Sequence, residues 1–223
     1  MKLKIIVVAL KTDKPVEEDT SKLRGYIGKK FPQYILLHHH TDKGVLYTYP
    51  RIQYKIIEKT PIIVGIEEGA KILKEIVDEL QELKLGRKMY KIQNIIMSQF
   101  NADFGKKREM IKYKFLTPWL GLSQKNYAIY KSKKTWKERK ELLHSILVGN
   151  LLAISKSFGY TVRGKLYASA FFNSCVVKYK AIPHAGFTGE FRVNFILPDY
   201  IGIGKGVSHG FGTVKKIVDE KEK

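Results

Sequence analysis

Cysteine, acidic side chains and long apolar runs are all scarce in this sequence of 223 residues. The one cysteine, Cys175, excludes a disulfide framework and a thiolate metal cluster, and fits a reducing, cytoplasmic setting. The apolar start Met1–Leu10 is too short for a secretory signal and lacks a small-residue cleavage site, so it reads as a first β-strand. No run approaches the ~18 apolar residues that cross a bilayer. Acidic residues number 21 against 41 Lys and Arg, a net charge of +20. Such a field attracts polyanions, and nucleic acid is the leading partner because each phosphate contact releases counterions. The cations are spread along the whole chain, which indicates a basic surface on a folded body rather than an appended arm. Only Asp219–Lys223 reads as disordered.

What the sequence does contain is enough apolar residue for globular cores, 44%, and many rings. Its 13 Tyr and 11 Phe supply cores and, where exposed, faces on which unpaired bases stack. Trp119 and Trp136 read as packing residues.

The β-branched run Ile5–Leu10 predicts a buried strand. Ser21–Phe31 places Leu23, Ile27 and Phe31 on one helical stripe, with Gly25 and Gly28 as positions where another backbone approaches closely. Leu46–Ile57 alternates as a strand interrupted by Pro50, and Pro61–Ile66 as another. Glu67–Lys84 predicts a helix stopped by Gly86, followed by a strand over Tyr90–Phe100. In the second half, a strand over Arg108–Phe115 precedes a short helix over Ser123–Lys131. A long helix capped by Thr135 then runs to Phe158. Strands follow over Lys165–Phe172, Cys175–Ile182, Gly189–Leu197 and Thr213–Val218. Both halves follow the order β-α-β-β-α-β, with an irregular glycine-rich element replacing the last helix of the second. The expected fold class is therefore α+β, two tandem ferredoxin-like (RRM-like) domains, residues 1–104 and 105–223.

Two segments carry candidate chemistry. Gly202–Gly212 contains five glycines and matches neither a phosphate-binding P-loop nor a dinucleotide fingerprint. Gly204, Lys205 and Gly206 could offer backbone N–H groups and a charge to an anion, or the loop could be a tight structural connection. The second segment is His38-His39-His40. If extended, it puts His38 and His40 on one face, and imidazole serves as acid or base near neutral pH. A solvated loop is the plainer alternative. A metal site needs three or four converging ligands, which three adjacent residues do not easily supply.

The glycine loop, preceded by Pro198-Asp199-Tyr200, resembles the signature of the RAMP superfamily of CRISPR-associated proteins. Within it the chain is similar to the repeat-RNA endoribonucleases of the archaeal, methanogen-type branch. The motifs that carry this resemblance are Lys22–Gly25, Leu37–His40, Tyr49–Lys55, Phe115–Leu120, Trp136–Arg139 and Gly186–Phe191, nearly the whole length. The resemblance implies tandem ferredoxin-like domains and metal-independent cleavage of CRISPR repeat RNA, with no cofactor and no metal. The RNA 2′-OH would attack the adjacent phosphorus, leaving a 2′,3′-cyclic phosphate and a 5′-OH. Carried over by position, the catalytic residues are His40 as general base or acid, His38, Tyr47 and, more weakly, Lys43. Arg24, Lys29, Lys30, Arg51 and Lys55 are expected to grip RNA in the first domain; Gly204, Lys205, Gly206 and Lys215 are expected to do so in the second. A non-catalytic guide-RNA-binding subunit of a CRISPR effector complex is the alternative, and a zinc hydrolase built on His38 and His40 a distant third. The partner is repeat RNA, with effector-complex subunits left open. Monomer and homodimer remain equally open.

Overall fold

The computed structural model describes residues 1–38, 40, 41, 44, 45 and 48–218, with backbone alone at 40, 41, 44 and 45. The tail expected to be disordered, Asp219–Lys223, lies outside the described residues. The chain divides into two compact units. One comprises Lys2–Ala102 with Val207–Gly210, the other Met1, Asp103–Gly206 and the chain from Phe211 onward. Val207–Gly210, within the span expected for the second domain, thus belongs to the first unit.

The first unit runs β1 (Lys2–Thr12), α1 (Thr20–Lys30), the single turn α2 (Ile35–His38), the short β2 (His40–Thr41) and β3 (Gly44–Val45), then β4 (Ile52–Ile57), β5 (Thr60–Ile66), α3 (Glu68–Ile76), β6 (Glu82–Leu85) and β7 (Lys88–Asp103). Its five-stranded sheet has the order β4-β5-β1-β7-β6. Apart from β6, this is the ferredoxin-like arrangement, with the first strand between the third and the last. Asp19 caps α1 by accepting from the N–H groups of Ser21 and Lys22, donors that a helix start otherwise leaves unpaired. Leu23, Ile27 and Phe31 are buried as their spacing predicts, in one core with Val8, Tyr54 and Leu73.

Of the strand expected over Leu46–Ile57, Leu46 and Tyr47 lie outside the described residues, and within the remainder the strand begins only at Ile52, because Pro50 has no N–H to give a ladder. The helix expected to reach Lys84 ends at Ile76. Glu82–Leu85 is instead a strand paired with Lys88–Lys91 around Gly86. Leu83 and Leu85 are buried while Glu82 and Lys84 are exposed, a period of two that the preceding helical stripe masks.

The second unit contains β8 (Gly105–Phe115), α4 (Gln124–Ser132), α5 (Trp136–Ser157), β9 (Ala168–Tyr179), β10 (Ile182–Ile196) and β11 (Val214–Lys216). Its sheet order, β11-β8-β10-β9, repeats the ferredoxin-like pattern, with the glycine-rich segment where the second helix would lie. Thr135 and Glu138 form a reciprocal capping box at the start of α5, and Gly159 ends it at φ 68°. Three strands expected between Lys165 and Leu197 are two long ones, paired from Ile182↔Tyr179 to Val193↔Ala168. Lys180 and Ala181, at φ 51° and 64°, make the two-residue turn that normally favours Asn-Gly. The core is aromatic: Phe115 stacks on Trp119 at 5.8 Å and Tyr113 on Phe191 at 5.4 Å. Trp119 is fully buried, whereas Trp136, expected to pack, is 54% exposed in the first turn of α5. No helix among the described residues is long and apolar enough to cross a membrane.

Candidate active site

Gly28 on α1 is where the histidine segment meets a helix. A Cβ at this position would stand 3.2 Å from the Cβ of His38. The close approach expected at this glycine is therefore made by a side chain, while Gly25 has open space around it. His38 Nε2 lies 3.3 Å from the Pro32 carbonyl, which can only accept, so Nε2 carries the proton in this arrangement. The buried hydroxyl of Tyr54 donates to the Leu37 carbonyl at 3.0 Å. Burial pushes the Tyr54 phenol far above its usual pKa, which keeps it a donor.

Arg24 supplies the second clamp. Its Nη2 donates to the His38 carbonyl at 2.5 Å, and its Nη1 lies 2.9 Å from His209 Nε2. A guanidinium can only donate, so His209 accepts through Nε2 and carries its proton on Nδ1, 3.2 Å from Ser208 Oγ. His209 closes the single turn Val207–His209, part of the first unit. The contribution of the glycine-rich segment here is thus a positioning contact.

Arg24, Lys29 and His38 line one hollow of about 320 Å³, together with Ser21 and Gly28. His38 and His40 do not share an extended face: His38 ends α2, whereas the His40 backbone pairs with Val45 in β2. The buried Leu37, whose N–H bonds to the Tyr34 carbonyl, draws this stretch into a helical turn. The side chain of His40 and all of Tyr47 and Lys43 lie outside the described residues.

The expected RNA contacts divide. Lys29 and Lys30 are exposed in the last turn of α1, with Lys30 Nζ 5.6 Å from the Phe31 ring. Arg51 Nε lies 3.5 Å from a Glu68 carboxylate. Lys55, expected on the surface, is fully buried, with Nζ bonded to Gln53 Oε1 at 3.1 Å. It cannot touch a phosphate from there, because both faces of β4 are covered. Desolvation holds its ammonium down to about 7. In the second unit Lys205 is exposed, with Nζ 5.5 Å from the Tyr179 ring, and Lys215 is half-buried, 5.8 Å from the Tyr200 ring.

The glycine-rich loop is closely packed against Trp119 and Leu120. A Cβ on Gly204, at φ 88°, would stand 2.6 Å from Trp119 Nε1 and 2.8 Å from the Leu120 carbonyl. The N–H groups of Ile203, Lys205, Phe211 and Gly212 all donate to protein carbonyls. Close packing onto Trp119 is what requires glycine here.

His144, on α5, accepts from the Ala170 N–H at 3.0 Å, and burial lowers its pKa, so it has a packing role. Among the described residues, no three His, Cys, Asp or Glu side chains gather where they could hold a metal ion. Sequence reading missed His209 and Tyr54. His209 lies 185 residues from Arg24, so no local pattern points to it.

Tandem ferredoxin-like units with a glycine-rich segment before the last strand define a RAMP-type fold. Residues 1–103 match the model of the Cas6b N-terminal domain and 105–217 that of the Cas6b C-terminal domain. The chain belongs to the Cas6b family. A crystal structure of Cas6b superposes with a TM-score of 0.91 at 38% identity, covering 97% of this chain and 100% of that one. Another, of a CRISPR RNA processing endoribonuclease Cas6b, gives 0.80 at 35% identity over 97% and 100%. The uncharacterized protein MJ0978 of Methanocaldococcus jannaschii is 45% identical over 144 residues, 64% of this chain and 97% of that protein.

Proposed function

We propose that this chain is a metal-independent endoribonuclease that cuts CRISPR repeat RNA. The observation that carries the reading is His38, held against the basic face of α1 by Arg24 and Gly28, in a chain of the Cas6b family. The similarity to a structure described as a CRISPR RNA processing endoribonuclease supports the substrate.

RNA brings its own nucleophile. A base takes the proton of the 2′-OH at the cut position, O2′ attacks the adjacent phosphorus, and the bond from phosphorus to the 5′ oxygen breaks. An acid returns a proton to that oxygen. The products are a 2′,3′-cyclic phosphate and a 5′-OH. His40 is assigned as general base or acid and His38 as its partner, with Tyr47 orienting the attacking hydroxyl or donating to the phosphate. Lys43 and Lys29 supply positive charge to the phosphorane, where stabilisation counts most. Lys30 and Arg51 hold flanking phosphates.

The test is cleavage of repeat RNA in excess EDTA beside the same RNA with one 2′-deoxy substitution at the cut position. Cleavage of the first and none of the second is expected. Binding without cleavage of either would identify a guide-RNA-binding subunit, and activity lost in EDTA but restored by zinc a metal enzyme.

A further inference from the structure

The second unit contains a groove of about 870 Å³ that the catalytic reading leaves unused. One wall is α4, which presents Tyr127, Tyr130 and Lys131, residues three and four apart and therefore on one helix face. The opposite wall is the β9–β10 hairpin, with Cys175 and His184, and Lys205 also lines the groove.

Three properties of this groove point the same way. First, Lys131, Arg139 and Lys205 line it and, among the described lining residues, no carboxylate does. Second, its rings are fixed in advance. The Arg139 guanidinium sits 5.4 Å from the centre of the Tyr130 ring, and Phe187 meets that ring edge-on at 5.7 Å. Lys205 is held over Tyr179 at 5.5 Å, and the same ring lies 5.8 Å from that of His184. Tyr127 by contrast is 44% exposed. Third, α4 has nine residues and buries none of them. A helix that short is marginal in water by itself, so it gains from whatever lies against its inner face.

We infer that this groove binds an unpaired stretch of the repeat RNA, with a base stacked on Tyr127 and the flanking phosphates taken by Lys131, Arg139 and Lys205. Sequence-tolerant stacking between cations is how single strands are held. The groove would fix one part of the substrate in the second unit while the first unit cuts another. The inference rests on the repeat-RNA reading above.

Cys175 gives a direct readout, because it lines the groove and the chain has no other cysteine. The full-length protein is mixed with repeat RNA carrying the 2′-deoxy block. Binding is followed by fluorescence anisotropy, and modification of Cys175 by a maleimide is timed in the same samples. Saturating RNA is expected to slow the modification several-fold. Tyr127→Ala, at an exposed position, is expected to weaken binding about tenfold. Lys131→Ala is expected to lower the slope of log affinity against log salt by roughly 0.7. RNA that binds tightly yet leaves the Cys175 rate and the Tyr127→Ala affinity unchanged would overturn the groove alone. Protection of Cys175 by polyglutamate but not by RNA would also overturn it, assigning the groove to an acidic protein partner. A wild type that neither binds nor cuts repeat RNA would overturn both this inference and the reading it rests on.

Discussion

Arg24 and His209, 185 residues apart in sequence, meet at 2.9 Å through Nη1 and Nε2, and the other arm of the same guanidinium holds the His38 carbonyl. Both arms of the fork are therefore bonded to the protein, which makes Arg24 a positioning group for the His38 backbone. Arg24→Lys keeps the charge but loses the two-armed geometry. It is expected to slow single-turnover cleavage up to about a hundredfold, the scale of a misplacement near 1 Å. RNA affinity is expected to change far less. His209→Gln, which keeps an acceptor, should retain more of the rate than His209→Leu. Equal rates for the two, measured at saturating protein, would remove His209 from the account.

Gly28 offers a substitution in which stability and activity move apart. Alanine in a helix interior is favoured over glycine by roughly 0.5–1 kcal/mol. Yet its Cβ would stand 3.2 Å from that of His38, tight enough that His38 must shift. Gly28→Ala is expected to leave thermal stability equal or slightly raised while lowering the cleavage rate. A fall in stability matched by unchanged cleavage would contradict the placement of His38.

Lys55 sets a pH dependence. Its pKa is about 7 when folded, against 10.5 for the free side chain, because burial penalises the ammonium. Between those values the unfolded chain binds the proton more tightly, so stability rises with pH from about 7 toward 10.5 and is lost as pH falls back through that window. Lys55→Met is expected to be more stable than wild type at pH 7, and the gap should narrow at pH 9.5, as read from urea midpoints. The salt slope of RNA binding should not change, since Lys55 is fully buried; a slope reduced by one phosphate contact would contradict this.

Lys29 and Lys30, exposed at the end of α1, should behave in the opposite way. Each alanine variant is expected to weaken RNA binding at low salt and reduce the salt slope by roughly 0.7. Stability should stay nearly constant.

Much of this architecture can be read from residue spacing alone. The stripe Leu23, Ile27, Phe31, the cap at Thr135 and the β-α-β-β start of each half follow from local residue patterns, and they suffice for two ferredoxin-like units. What local periodicity misses depends on tertiary contact. Leu83 and Leu85 extend an apolar helical stripe on paper, but pairing with β7 makes them a strand. The turn at Lys180-Ala181 lacks turn residues because its position is set by pairing along the whole hairpin. Lys55 reads as a surface cation, and only the packing around β4 shows it to be buried. The histidines draw attention as a triplet, while the groups that fix His38 come from α1, β4 and a turn near the chain's far end.

The central claim is that the RNA's own 2′-OH is the nucleophile, and the chemical ends of the products test it most directly. Repeat RNA cut by the wild-type protein in excess EDTA is analysed by mass spectrometry. The account predicts a 2′,3′-cyclic phosphate on the upstream fragment and a 5′-OH on the downstream one. A 3′-OH paired with a 5′-phosphate would mean that water or a metal-bound hydroxide attacks instead, and would contradict it.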